Sequence, residues 1–595
     1  MRHPRALSAA LALLLAATCG WAQQRAVTDL AATYRGGQVF ITWDEPEGVA
    51  DVRFRVLMSR EPITDNNADN ARVAGDYLMP GSATDWWLNP ETYGRPLDEY
   101  PEDKRPEVRH EGWLIEEGGE RLNPDSGLFV HTVTPETAGS WHYALTVQAQ
   151  AAEEEVVGER AVAPALCALA EPVHQEVAAI EPIYQGDPAG KPARNSGAGL
   201  PLDLALHAKR GRGGMEWLVF GDATLGWRDG LPFKFGARVV GETVRVSPTD
   251  RTWIGRMFPE GNDGCQRLTP AIHSFWYGYN DHIYDPELMA EGLCVNFTER
   301  RVMWIVRWVQ GYFGTDPNRS YAAGGSMGAI GSFNIALRHP DIFAAIAPHV
   351  GIVTYKRGEG GDSARRVEAY TGPLDAPCNE GMTVGERLDS TRFVLGSEDD
   401  LPFVVMSNGR NDGSIPWWVN PAFYRAMQQQ RQGFIAAWND GEHGTTAKLL
   451  PEDIVERRRW GWLHRFALNK SWPAFSNCSA DQDPGNGEKT DGDPVGYMNR
   501  GLDWEDPVDE PDRYEIVIKW YLEPEDLPVT VDVTPRRRQQ FKPQAGAACT
   551  AINTDLATGR EVQRERVQVG EHGLLTFPRF QVTSAQGNRL TFTGG

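Results

Sequence analysis

The chain has 595 residues, with 59 Lys or Arg against 81 Asp or Glu, a formal charge of −22 and 41% hydrophobic residues. That composition excludes a disordered or collagen-like chain, and the length suggests about three or four domains. The acidic excess repels phosphate, so nucleic acid and anionic membrane are not expected partners. The 20 Trp are many for this length, and Trp favours interfaces, which marks some of them as candidates for a binding surface.

Residues 1–22 read as a cleaved signal peptide: Arg2 and Arg5 precede an apolar run over residues 6–18, and Gly20 and Ala22 are the small residues of a cleavage site. The expected location is therefore secreted or periplasmic. A lipoprotein anchored through Cys19 is the less favoured variant, because Thr18 fits that processing signal poorly. Removing Cys19 leaves Cys167, Cys265, Cys294, Cys378, Cys478 and Cys549, an even number compatible with disulfides of undetermined pairing. None has metal-site spacing, and no metal or cofactor is expected.

Residues 23–172 alternate in the manner of strands, as at 39–43, 54–58, 128–133 and 143–147, between Gly, Pro, Asp and Asn. Such spacing predicts a β-sandwich. Trp43-Asp44-Glu45-Pro46 and the approach from Thr134 to Tyr143 resemble a fibronectin type III domain, interrupted by an insertion near residues 86–125. That resemblance implies a spacer or binding module without chemistry of its own.

Residues 173–472 switch to strands alternating with helices, the pattern of a mostly parallel sheet covered by helices. Residues 473–511, rich in Gly, Asp and Pro, read as a linker, and residues 512–595 as a β-rich C-terminal domain. The acidic run 481–487 lacks the glycine and glutamate positions of a calcium loop, which leaves solvated linker as the reading.

The chemistry is expected in the central segment. Gly324-Gly325-Ser326-Met327-Gly328 fits G-x-S-x-G, with a short strand before it and a helical run after it. That order is what a nucleophile elbow requires, the serine sitting in a strained turn between closely crossing backbones. A serine hydroxyl is a weak nucleophile and needs a base and an orienting acid. Asp412 follows the apolar strand 401–406, and His443 follows the strand 434–438, giving the order Ser, Asp, His along the chain. Asp399 and Asp400 precede their strand instead of following it; His207, His273, His282, His339 and His349 also fall in the central unit, but His339 belongs to a helix end, His349 comes too early for that order, and His443 is favoured by position. Oxyanion donors are expected from the Met327 N–H and from the end of the strand 202–207, with Ala208 or Lys209 as the second donor. Trp276, Trp417 and Trp438 lie in or near the loops around these residues, and are the candidate substrate-binding aromatics.

In His207 at its strand end, the 315–319 turn, the serine elbow and the 339–345 segment, the central unit resembles secreted esterases of the α/β-hydrolase superfamily, those grouped with feruloyl and acetyl-xylan esterases and polyhydroxyalkanoate depolymerases. The resemblance departs at Ala208 and Ala329, where relatives often carry Gly, and at the fibronectin-like unit, which precedes the catalytic domain here. It implies a central α/β-hydrolase flanked by β domains, acting on small or polymeric esters. A serine peptidase of the prolyl-oligopeptidase type shares the chain order but brings a propeller whose repeats are not visible. A non-catalytic adhesion protein is the alternative from another class.

Overall fold

The computed structural model describes residues 27–45, 52–89, 97, 101–105, 107–149, 165–206, 216–220, 232–249, 251–253, 271–283, 287–356 and 363–594. The signal-peptide segment, Cys265 and Ala208 lie outside these. The chain divides into two compact units, one of residues 1–191, 215–234 and 251–272, the other of residues 192–214, 235–250 and 273–595.

In the first unit, Thr28–Arg35, Gln38–Asp44 and Ser126–Thr132 form one antiparallel sheet. Val52–Ser59 lies between Arg72–Leu78 and Gly139–Ala149 in a second, to which Ala165–Ala168 and Val173–Gln175 add. Alternate residues of both sheets meet in one core: Val39, Ile41 and Trp43 from the first, Phe54, Val56, Tyr143 and Leu145 from the second. The insertion folds back on the other face of the first sheet, where Trp86 and Trp113 pack with Phe40, Leu128 and Val130.

The second unit is built on a sheet whose parallel strands run in the order Phe434–Asn439, Phe403–Gly409, Phe343–His349, Ser320–Gly325, Leu202–Ala205 and Thr243–Ser247. Antiparallel strands flank both sides, Gly496–Met498 beside Phe434–Asn439 and residues 236–240 beside Thr243–Ser247. Leu202–Ala205 precedes Thr243–Ser247 in sequence yet sits between it and the serine strand, so strand order reverses there. Open α/β sheets place ligands at the carboxyl ends of the strands beside such a reversal. The expected helix over residues 301–310 is longer, Phe297–Phe313, with Val302, Ile305, Val306 and Val309 buried as their spacing requires, and it ends at Gly314 in the left-handed conformation.

Residues 473–511 are not a free linker. They carry Gly496–Met498, Leu502–Trp504 and Val508–Glu510, each paired in a sheet. The Asp-rich part is ordered by its own carboxylates, with Asp491 and Asp493 accepting the Asn486 and Asp483 N–H groups at 2.8 Å, and Asp483 accepting that of Gly485 at 2.9 Å. One Asx turn, at Asp483, and two longer-range caps therefore use the acids that a solvated tether would expose. The β-rich C-terminus is likewise no separate body. Tyr321, Ala345, Phe403 and Ile435 on one face of the parallel sheet share a core with Trp472, Trp504, Tyr514, Val531 and Phe592. Alternation along the strands explains this: residues 403 and 405, and 435 and 437, turn the same face toward the C-terminal strands.

The five described cysteines, Cys167, Cys294, Cys378, Cys478 and Cys549, are free thiols, all but Cys167 buried, so the expected disulfides do not form among them. Among the described residues no helix is long and apolar enough to cross a membrane.

Asp481 accepts the Asn499 N–H at 2.7 Å, and burial pushes its carboxyl up to about 7. A folded-state value above the unfolded one, about 3.9, contributes stability that is full below the unfolded value and lost as pH rises through the folded one. Asp481→Asn is therefore expected to leave the thermal midpoint unchanged near pH 4 and to raise it by roughly 2–4 °C near pH 8. Calorimetry at the two pH values checks this, and equal midpoints for both proteins at pH 8 contradict it.

Candidate active site

Ser326 joins the end of Ser320–Gly325 to the helix Met327–Asn334 with φ 55° and ψ −119°. For a residue with a Cβ this backbone costs on the order of 1–3 kcal/mol and persists only where the surroundings hold it. Here the Ser326 N–H donates to the His349 carbonyl on the neighbouring strand at 2.8 Å, and the Ser326 carbonyl accepts from Ala329 and Ile330 at 2.9 and 3.1 Å. Glycine is needed at 324 because a Cβ there would lie 2.5 Å from the Gly328 backbone, where strand and helix cross. The helix start leaves the Met327 and Gly328 N–H groups without intrahelical partners, at the positive end of the helix dipole.

The Ser326 hydroxyl oxygen is 2.9 Å from His443 Nε2, and His443 Nδ1 is 2.7 Å from Asp412 Oδ2. Since Asp412 can only accept when ionised, Nδ1 carries the proton and Nε2 is left to accept from the serine. Asp412 is buried, and its other oxygen accepts the Ser414 and Ile415 N–H groups at 2.8 and 2.9 Å. Those two amides were not anticipated from the sequence, although Asn411-Asp412-Gly413-Ser414 is an Asx-turn sequence that predicts them. Asp412 lies beyond Phe403–Gly409, and His443 lies beyond Phe434–Asn439 in a loop closed by Glu442 N–H on Thr445 Oγ1 at 2.8 Å and Asn439 Nδ2 on the Thr446 carbonyl at 3.1 Å. Strands of one parallel sheet thus bring together three residues spread over more than a hundred positions.

The competing residues are occupied elsewhere. Asp400 pairs with Arg536 Nε at 2.6 Å and accepts the Arg537 N–H at 3.0 Å, which absorbs part of the basic run at 536–538. His339 meets Glu299 at 3.1 Å. His349 Nδ1 lies 2.8 Å from Ser407 Oγ, and burial, followed by the charge of Arg458, pushes its imidazole down to about 3. It stays neutral beside the site and contributes its carbonyl to the serine backbone.

The three tryptophans expected to bind substrate do not face it. Trp276, Trp417 and Trp438 are 0%, 2% and 0% exposed. Trp438 donates to the Asp493 carbonyl at 2.8 Å and packs with Trp417 and Tyr424 at ring distances of 6.1 and 5.8 Å, an aromatic core beneath the loops. The Trp276 indole donates to the Met327 carbonyl at 2.7 Å. Ala208, the expected second oxyanion donor, lies outside the described residues, and the preceding chain reaches Leu206, whose N–H donates to the Ala323 carbonyl at 2.9 Å. Among the described residues no group of His, Cys, Asp and Glu could hold a metal ion.

Residues 303–443 match the model of the Esterase family, described as "Putative esterase", a segment that contains Ser326, Asp412 and His443. No curated protein matches the chain. Among solved structures the chain is similar to an S-formylglutathione hydrolase from Agrobacterium tumefaciens, at 16% identity and TM-score 0.32, over 43% of this chain and 97% of that one. It is also similar to FphF, a fluorophosphonate-binding serine hydrolase of Staphylococcus aureus, at 11% identity and TM-score 0.27 over 45% and 84%, and to Thermogutta terrifontis esterase 2, at 13% and 0.24 over 43% and 78%. The family match falls on the segment that carries the serine elbow, and the protein is an esterase-type serine hydrolase.

Proposed function

We propose that Ser326, His443 and Asp412 form the catalytic triad of a carboxylic ester hydrolase working through an acyl-enzyme. The continuous hydrogen-bond chain from Ser326 Oγ through His443 to Asp412 carries this reading. In the first half-reaction His443 Nε2 takes the Ser326 proton as Oγ attacks the ester carbonyl carbon. The carbonyl oxygen becomes an oxyanion facing the Met327 N–H and, in this reading, the Ala208 N–H. Asp412 holds the imidazolium, with its remaining charge offset by the Ser414 and Ile415 amides. Collapse expels the alcohol, protonated by His443, and leaves Ser326 acylated. In the second half-reaction His443 removes a proton from water, which attacks the acyl carbon, and Ser326 leaves with that proton restored.

Polymer-bound esters, of plant polysaccharides or in polyesters, are the proposed natural substrates. The support is the signal-like segment 1–22 and the resemblance of the central segment to secreted esterases. The tryptophans lend no support, because they are interior. The N-terminal two-sheet unit is read as a fibronectin type III-like module that spaces or anchors the catalytic unit, with no catalytic role.

Ser326→Ala is expected to lower kcat on an aryl acetate by about 10⁶-fold with unchanged circular dichroism. Asp412→Asn is expected to lower it by about 10⁴-fold, since an amide no longer fixes the histidine tautomer. Stopped-flow and steady-state rates on the purified variants check both, and a Ser326→Ala enzyme with wild-type turnover contradicts the assignment. A side-by-side assay of aryl acetate, feruloyl-arabinose, polyhydroxybutyrate and peptide amide separates the ester classes. Hydrolysis of the amide alone removes the ester reading.

A further inference from the structure

Two consecutive residues other than glycine, Phe275 and Trp276, hold φ of 50° and 62°. A strained pair of bulky residues needs an environment that over-determines it. Several bonds supply it: Asn334 Nδ2 donates to the Phe275 carbonyl at 2.8 Å, the Tyr277 and Gly278 N–H groups close on the Ser274 carbonyl at 3.0 and 3.2 Å, and Thr298 Oγ1 donates to Ser274 Oγ at 2.6 Å. What this turn delivers is the fully buried Trp276 indole, whose N–H reaches the Met327 carbonyl at 2.7 Å. One helical turn on, Gly331 leaves room for the ring, since a Cβ there would lie 2.8–2.9 Å from Trp276 Cδ2, Cε2 and Cγ. Residues 327 and 331 of the elbow helix, neighbours on one face, are therefore shaped to receive one side chain.

Met327 is the residue directly after the strained serine, and its own N–H is the oxyanion donor of the proposed mechanism. Rotation of this residue would turn that N–H away from the carbonyl oxygen of the substrate. From this geometry we infer that Trp276 is a positioning residue for the oxyanion donor, clamping Met327 by its carbonyl and the next helical turn by its ring. The inference rests on the reading of Met327 as that donor. Trp276 touches no reacting atom, and its effect falls on the tetrahedral state, where the negative charge is largest, more than on the bound ester.

The test compares the full-length protein with Trp276→Phe, which keeps a ring and removes the N–H, and with Gly331→Ala, which fills the slot that the ring occupies. Fluorophosphonate labelling of the wild type comes first: no labelling overturns the serine-hydrolase mechanism itself and separates that failure from this one. With labelling established, Trp276→Phe is expected to lower kcat on an aryl acetate by about 10-fold or more, less than the 10²–10³ of losing a donor outright, with KM within about twofold. Affinity for a trifluoromethyl ketone, which forms a tetrahedral adduct, should fall by the same factor as kcat. Gly331→Ala should show the same pattern, and it decides the matter if Trp276→Phe does not fold. Unchanged kcat and ketone affinity in the folded variants overturn the inference, as does a loss confined to KM.

Discussion

The left-handed backbone at Ser326 is the constraint around which the catalytic unit is arranged. A turn at φ 55° carries the serine out of the sheet and starts a helix at the next residue, so hydroxyl and helix amides face the same space. Such a turn does not persist by itself. It is held on the strand side by the His349 carbonyl, which takes the Ser326 N–H, and on the helix side by the Ala329 and Ile330 amides on the Ser326 carbonyl. The parallel register that sets Gly325 opposite His349, and His349 opposite Ser407, carries this hold across three strands.

The same strand order disposes the charge. Asp412 is buried but fully spoken for, one oxygen on His443 and the other on two backbone amides, so in the proposed mechanism its charge stands beside the ring that takes the serine proton. The other ionisable groups nearby are kept from competing. His349 is neutral because it is buried and faces the positive charge of Arg458, while Asp400 is committed to arginines of the C-terminal strands. The C-terminal β segment is in this way part of the catalytic unit: its Tyr514 and Phe592, with Trp504, complete the core under the parallel sheet, and its Arg536 pairs with Asp400 ahead of an interior strand.

Much of the site is legible in the sequence because its chemistry is tied to chain order. The glycines around Ser326 mark a close backbone crossing, and acids and histidines directly after apolar strands stand at the carboxyl end of a sheet. Asp412 and His443 could be singled out on position alone. The tryptophans could not be placed, because an indole favours a wet interface and a packed interior for the same reason, its large apolar body, and the partners that decide between them are distant in sequence. Trp438 is covered by Gly496 and Asp493, more than fifty residues away. The Asp-rich segment 481–493 misled in the opposite direction: its composition is that of a solvated tether, whereas its carboxylates cap backbone amides of the same segment. Local composition carries no sign of those bonds.

The central claim is that Ser326 becomes acylated with His443 as its base. Rapid quenching of the wild-type protein mixed with p-nitrophenyl acetate, followed by proteolysis and mass spectrometry, tests it most directly. The account predicts a transient acetyl group on the peptide containing Ser326, formed with a burst of nitrophenolate and absent from His443→Ala. Ester hydrolysis proceeding without any acetyl group on Ser326, or with one on another residue, would contradict it.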